Sequence, residues 1–174
     1  MRYFFDTEFI EDGKTIDLLS IGIVSEDGRE LYLENSEADL TKACPWVREH
    51  VFTNMEWAPE VQHTKEVIAH CVFEFICGVK TQALSSALPP PWPALPMMDK
   101  PEFWAYFASY DWVVLCQLFG KMIDLPQGMP MRCNDIAQVI KNGEDVPHMD
   151  PGEAHNALYD AKWVKACYDR CIAK

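Results

Sequence analysis

An apolar, aromatic-rich run at residues 2–10 constrains the fold more than any other stretch of the chain. Bulky side chains pack well on a pleated surface, so the run predicts a buried β-strand. Two carboxylates, Asp6 and Glu8, interrupt it, and they share one face because successive strand side chains alternate. Adjacent anions in apolar surroundings repel each other and lose hydration. They therefore need protons or cations nearby, unless this end of the strand is simply exposed to water.

The segments that follow predict an antiparallel meander. Residues 16–24 and 29–34 have the apolar or alternating pattern of strands. The turns at 11–14 and 26–28 each contain Asp-Gly, a pair that favours hairpins. Thr64 is a suitable N-cap for a helix over Lys65–Cys77, and Gly78 is a suitable stop.

The second half of the chain alternates between strand and helix patterns. The elements predicted there are a buried strand at 102–108, a helix at 112–119, a short last strand at 131–133, a helix capped by Asn134 or Asp135 and reaching residue 141, and a last helix at 153–172. Strands first and strand–helix alternation afterwards predict an α/β fold, with a mixed sheet flanked by helices.

The length of 174 residues predicts a single domain spanning 1–174. Residues 83–101 are rich in proline and cannot form regular structure. We expect a surface loop there rather than a linker, because the segments on either side resemble parts of one core.

Charge and cysteine usage narrow the function classes. The net charge of −12 argues against tight, non-specific binding along a duplex, although an enzyme that grips only a strand end is compatible with it. Seven cysteines at irregular spacings predict reduced thiols in a cytoplasmic protein. No apolar stretch reaches membrane-spanning length, and the N-terminal run carries charges that a signal peptide lacks.

Three polar motifs stand at strand ends and helix starts, where α/β proteins gather functional residues. They are Asp6 and Glu8 on the first strand, Asp111 at a strand-to-helix junction, and His155 with Asp160 in a His-x4-Asp spacing. Each alone has an ordinary explanation: Asp111 as a helix cap, Asp160 on a solvated helix face, His155 in a local hydrogen bond. Their occurrence together, in this order, is far less expected by chance.

The combination resembles the DEDD exonuclease superfamily in its histidine-bearing branch. The strings Phe5-Asp6-Thr7-Glu8, Tyr110-Asp111 and His155-x4-Asp160 carry the resemblance, and residues 1–13 and 115–118 look like the polyadenylate-specific exoribonuclease AS group, which is related to ribonuclease T. One departure is that many relatives have an Asn shortly before the Tyr-Asp pair, where this chain has Phe107, Ala108 and Ser109.

The resemblance implies a ribonuclease H-like fold and a site for two divalent cations, Mg²⁺ or Mn²⁺. By analogy Asp6 bridges both ions, Glu8 and Asp160 complete one site, and Asp111 supports the second. His155 is then the general base that takes a proton from the attacking water. Oxygen ligands suit such hard cations. The resemblance also implies a homodimer.

The expected substrate is the 3′ end of a single-stranded nucleic acid, with RNA favoured and adenylate tails as the preferred sequence. Aromatic faces stack bases with little sequence preference, so Phe9 is the first choice for holding the terminal nucleotide, with Ile10 beside it and Trp112 as a further contact. Arg132 and Lys162 are weaker choices for touching phosphate. Two alternatives stay open: a 3′→5′ DNA exonuclease, and a catalytically silent nucleic-acid-binding module on the same fold.

Overall fold

A computed structural model describes residues 1–78, 92–96, 100–140 and 146–173. Within those residues the chain forms one mixed sheet of six strands, in the order β4-β3-β2-β1-β5-β6. The strands are β1 (Arg2–Glu11), β2 (Ile16–Ser25), β3 (Glu30–Asn35), β4 (Gln62–His63), β5 (Glu102–Ala105) and β6 (Asn134–Asp135). The helices are α1 (Pro45–His50), α2 (Lys65–Cys77), α3 (Ser109–Leu118) and α4 (Ala157–Cys171).

The sheet is centred on β1, as the aromatic run predicts. β1 pairs antiparallel with β2 and parallel with β5, and β2 pairs antiparallel with β3. The predicted meander is therefore confirmed. The short strands β4 and β6 each add a parallel edge. Because β5 pairs only with Arg2–Phe4, the carboxyl-terminal half of β1 extends past it and is open on that side.

Helices cover both faces of the sheet, and the alternation of β1 distributes its side chains between them. Tyr3 and Phe5 enter the larger core with residues of α2 and α3, whereas Phe4 packs against α4 through Val164 and Tyr168. Each of these β1 side chains is at most 2% exposed. The α/β class and the mixed sheet flanked by helices are confirmed.

Several predicted boundaries are wrong. The strand expected at 102–108 ends at Ala105, and the helix expected from 112 begins at Ser109. Phe107, with φ +55°, turns the chain sharply between the two. The last helix begins at Ala157 rather than 153, because the side chain of Asn156 accepts hydrogen bonds from Leu158 N and Tyr159 N and so caps it there.

The region after α3 also differs from the prediction. The last strand is formed by Asn134–Asp135 rather than by 131–133, and only a short 3-10 turn, Ile136–Gln138, follows it. The two residues proposed as helix caps are thus the strand itself. Asp135 still caps the turn, accepting a hydrogen bond from Ala137 N. Residue 141, the predicted helix end, lies outside the described residues.

Most of the proline-rich stretch at 83–101 lies outside the described residues. Its described part packs on the core: Trp92 contacts the rings of Phe73 and Phe119, and Leu95 is buried. The helix over Lys65–Cys77 is confirmed, including its Thr64 cap and its Gly78 stop. All seven cysteines are unpaired. Among the described helices, none combines the length and apolar character needed to cross a membrane.

Candidate active site

A cleft of about 680 Å³ opens at the carboxyl-terminal half of β1, beyond the end of β5. The cavity thus lies beside the part of the central strand that β5 leaves unpaired, a common place for ligand sites in α/β sheets. All five residues of the three sequence motifs line it: Asp6, Glu8, Asp111, His155 and Asp160. The structure therefore brings together groups that lie up to about 150 residues apart in the sequence.

Asp111 is positioned by a contact to β1 rather than by a helix-capping role. It lies in the first turn of α3, and its Oδ1 accepts hydrogen bonds from the Thr7 N–H (3.0 Å) and the Thr7 hydroxyl (2.7 Å). Thr7 stands between Asp6 and Glu8, so this pair of bonds fixes the third motif to the first. Asp111 is 6% exposed.

His155 and Asp160 are held together at the amino-terminal end of α4. The His155 N–H donates to Asp160 Oδ2 at 2.9 Å. The other oxygen, Asp160 Oδ1, is buried without a hydrogen-bond partner. α4 approaches β2 so closely here that a Cβ on Gly22 would overlap the backbone of Ala157 and Leu158. Glycine at this point of β2 lets the end of α4 reach the carboxylates of β1.

Three of the five side chains form a tight group. Ligand atoms of Glu8, His155 and Asp160 all lie within 4.8 Å of one another, close enough to hold one metal ion. Asp6 and Asp111 line the same cleft but stand outside that group. The geometry differs in this respect from the sequence-based assignment, which gives His155 a role as base rather than as ligand.

The folded structure disfavours the charged forms of the four carboxylates. Burial, and then the charge of Asp111, raises the pKa of Asp6 well above its usual range. Burial and the charge of Asp160 raise the pKa of Glu8 to about 8. Burial raises the pKa of Asp111 and of Asp160 to about 6 each, against hydrogen bonds from Thr7 and His155 that favour the charged forms. At neutral pH this cluster binds either protons or cations.

The imidazole of His155 lies against α1. Its ring meets the Trp46 ring edge-to-face at 4.9 Å between centroids, and His50 stacks on the same tryptophan. Burial, and then the charge of His50, lowers the pKa of His155. The ring is therefore neutral at physiological pH and has a nitrogen free to accept a proton.

Aromatic rings form a large part of the remaining walls of the cleft. Phe9 stacks on Tyr110, with 5.9 Å between centroids and 13° between planes, and Ile10 is buried beside it. On another side Tyr106 contacts both Phe107 and Trp163. Phe107 is 66% exposed, so most of its ring faces solvent.

Trp112, predicted from the sequence to contact substrate, does not line this cleft. Its ring packs against Phe5 and Phe103 in the larger core, on the sheet face opposite α4. Tyr110 and Trp112 are two positions apart in α3, about 200° around its axis, so Tyr110 faces the cleft while Trp112 faces the core.

Sequence reasoning missed five cleft aromatics: Trp46, Trp163, Tyr106, Phe107 and Tyr110. A signal existed for the last three. They are consecutive or nearly so, they precede Asp111, and an aromatic run just after a short strand is unlikely to be buried on every side. Trp46 has no such signal, because only the tertiary fold brings α1 to His155.

Positive charge is missing from the cleft. Of the described residues that line it, none is Lys or Arg. Lys162, considered as a phosphate contact, instead pairs with Glu30 at 2.8 Å, and neither it nor Arg132 reaches the cavity. An anion bound in the cleft therefore gains no ion pair from a lysine or arginine among these lining residues.

Comparisons with known proteins agree with this geometry. The model of the 3'-5' exoribonuclease Rv2179c-like domain matches residues 1–172. The 3'-5' exoribonuclease Rv2179c of Mycobacterium tuberculosis strain H37Rv is 38% identical over 165 residues, which cover 93% of this chain and 88% of the relative. A protein of strain CDC 1551, 3'-5' exoribonuclease MT2234.1, matches to the same extent.

Solved structures of exonuclease I share the fold. One superposes with a TM-score of 0.59 at 12% identity, and a second, without ligand, with a TM-score of 0.57. These matches cover 97% of this chain, but the chain spans only about two fifths of exonuclease I. The predicted ribonuclease H-like fold is thereby confirmed.

Proposed function

This chain belongs to the Rv2179c-like family of 3'-5' exoribonucleases, and we propose that it depends on divalent cations and removes 5′-mononucleotides stepwise from single-stranded RNA. The family relationship supplies the reaction class. The cation dependence, the residue roles and the preference for adenylate tails are our proposals.

The observation that carries the proposal is the buried acidic cluster with one unsatisfied oxygen. A buried polar atom without a partner is costly, and Asp160 Oδ1 is such an atom. Glu8 and Asp6 beside it carry strongly raised pKa values because burial and mutual repulsion oppose their charged forms. A divalent cation relieves both problems, and oxygen donors suit Mg²⁺ or Mn²⁺.

Asp6, Glu8, Asp111 and Asp160, which all line the cleft, are the residues that would hold the cations. When bound, two such ions supply charge neutralisation at the scissile phosphate and activation of the attacking water. Thr7 fixes the direction of Asp111, and the His155 N–H fixes Asp160. His155, neutral at physiological pH, accepts the proton of the attacking water at its unprotonated ring nitrogen.

Stacking would supply the grip on the substrate. A cleft without Lys or Arg gains little from direct phosphate pairing, whereas each stacked base contributes about 1–3 kcal/mol. Phe9 with Tyr110 offers one surface, and Tyr106 with Phe107 offers another. Purines have the larger faces, which supports a preference for purine tails, and the choice of adenylate among them rests on the resemblance to the polyadenylate-specific group.

The direct test is degradation of matched oligonucleotides. We expect 5′-labelled oligo(A) to shorten from its 3′ end in Mg²⁺ or Mn²⁺, a mixed-sequence RNA to shorten more slowly, and matched DNA to persist. EDTA should stop all shortening. A 3′-blocked RNA serves as the control substrate. Equal rates on DNA would move the assignment to a general exonuclease, and shortening unaffected by EDTA would contradict the role of cations.

Phe107→Ala should weaken substrate binding with little effect on turnover. Loss of one stacking surface worth about 1–3 kcal/mol corresponds to a rise in KM of about 5- to 160-fold. The ring has no group that can transfer a proton or hold a cation, so kcat should stay within about twofold. Steady-state kinetics on oligo(A) measures both. Ile123→Ala, which removes an 87% exposed side chain outside the cleft, is the matched control. An unchanged KM for Phe107→Ala would exclude the stacking role.

A further inference from the structure

Asn54, in the 3-10 turn after α1 (Phe52–Asn54), hydrogen-bonds to the chain on both sides of His155. Its side-chain Nδ2 donates to the Ala154 carbonyl at 2.8 Å. Its backbone carbonyl accepts from Asn156 Nδ2 at 2.8 Å, a bond that does not depend on the Asn54 side chain. In both contacts a side-chain amide donates a hydrogen bond to a backbone carbonyl, between segments about 100 positions apart. Together they bracket a single residue, His155.

His155 needs such bracketing because of its backbone. Its φ is +65°, in the left-handed region that residues other than glycine rarely adopt and that costs of the order of 1 kcal/mol or more. A strained conformation persists only where its surroundings fix it. Three hydrogen bonds fix it: the two that Asn54 makes with Ala154 and Asn156, and the one that the His155 N–H donates to Asp160.

Asn54 also ties this bracket to the wall that carries the imidazole. The same Nδ2 donates to the His50 carbonyl at 2.9 Å, at the end of α1. Trp46, one turn earlier in α1, meets the His155 ring edge-to-face. One segment, 45–54, thus contacts the His155 ring through Trp46 and its backbone through Asn54.

We propose that Asn54 is a positioning residue that holds the imidazole of His155 in its reactive place through the backbone on either side of it. This rests on the proposed function, in which His155 is the base. Asn54 does not line the cleft, so it is placed to act through His155 rather than on a bound molecule. Partners that orient a reacting group in this way typically contribute about 10- to 100-fold.

The test compares Asn54→Ala in two backgrounds. In the otherwise unchanged protein we expect kcat on oligo(A) to fall by about 10- to 100-fold, with KM and the Mg²⁺-dependent rise of the melting temperature unchanged. In a His155→Ala background the same substitution should have almost no further effect on kcat, because the group that it positions is already gone. A purely structural role would lower kcat equally in both backgrounds.

The adjacent Thr53→Ala is the matched control, since the Thr53 hydroxyl donates to the Glu49 carbonyl four residues earlier rather than to the segment around His155, and the variant should keep full activity. If Asn54→Ala does not fold, Asn54→Asp keeps the side-chain volume, removes both donors, and takes its place in the same comparison. Full activity of the Asn54 variant, or an equal loss in both backgrounds, overturns the proposal. Inactivity of the wild type on every strand would instead overturn the proposed function.

Discussion

Asp6→Asn should reduce turnover by about 10³-fold or more and leave the protein folded. Cations contribute several kcal/mol of transition-state stabilisation in such sites, and each 1.36 kcal/mol is a factor of ten in rate. Asn keeps the shape of Asp6 and loses the charge that a cation needs. Because burial and the neighbouring carboxylates already oppose that charge, the cation-free variant should also melt at a higher temperature than the cation-free wild type.

The same electrostatics predict how stability depends on pH. The folded-state pKa values of Asp111 and Asp160 are raised from 3.8 to about 6, and that of Glu8 from 4.5 to about 8. The folded protein therefore binds more protons than the unfolded chain in this window. Its free energy of unfolding should fall as the pH rises from about 4 through 8 in the absence of cations. Mg²⁺ should restore stability most at the upper end.

Thermal melting with EDTA and with Mg²⁺, at several pH values, measures both effects. Asp6→Asn should show a shallower decline with pH and a smaller rise on adding Mg²⁺. Asp169→Asn makes the same change in net charge on the exposed side of α4 and should behave like the wild type in activity. An active Asp6→Asn protein, or one with an undiminished response to Mg²⁺, would remove Asp6 from the proposed cation site.

The central residues of the site could be predicted from the sequence because patterns over a few neighbouring positions determine where each of them lies. A period of two places Asp6 and Glu8 on one face of β1, and a helix-start pattern places Asp160 near the beginning of α4. The meander and α2 follow from turn residues and capping, which also act over a few positions. The three motifs then meet because strand ends and helix starts converge at one edge of a sheet.

What could not be predicted depends on contacts between distant segments. The left-handed residues Phe107 and His155 set the end of β5 and the place of the imidazole, and no local pattern marks either. The strand Asn134–Asp135 exists because it pairs with β5. Trp112 was misplaced for a similar reason: its packing against Phe5 and Phe103, distant in sequence, turns the opposite side of α3, with Tyr110, to the cleft.

His155 has two chemically distinct readings in this geometry. Its ring lies within 4.8 Å of ligand atoms of Glu8 and Asp160, so it has the position of a third metal ligand. Its lowered pKa and its place against Trp46 fit a neutral base beside the proposed cation site. The two roles differ in what happens to cation binding when the imidazole is removed.

His155→Ala should lower kcat by about 10²- to 10⁴-fold while the rise of the melting temperature with Mg²⁺ stays as in the wild type. A base acts on the water, so its loss leaves the carboxylate ligands intact. A ligand contributes binding energy, so its loss would weaken the response to Mg²⁺ along with the rate. His63→Ala controls for the loss of an imidazole, because the His63 ring hydrogen-bonds to the Glu60 carbonyl and does not line the cleft. A reduced Mg²⁺ response in His155→Ala alone would make His155 a ligand, and unchanged kinetics would give it neither role.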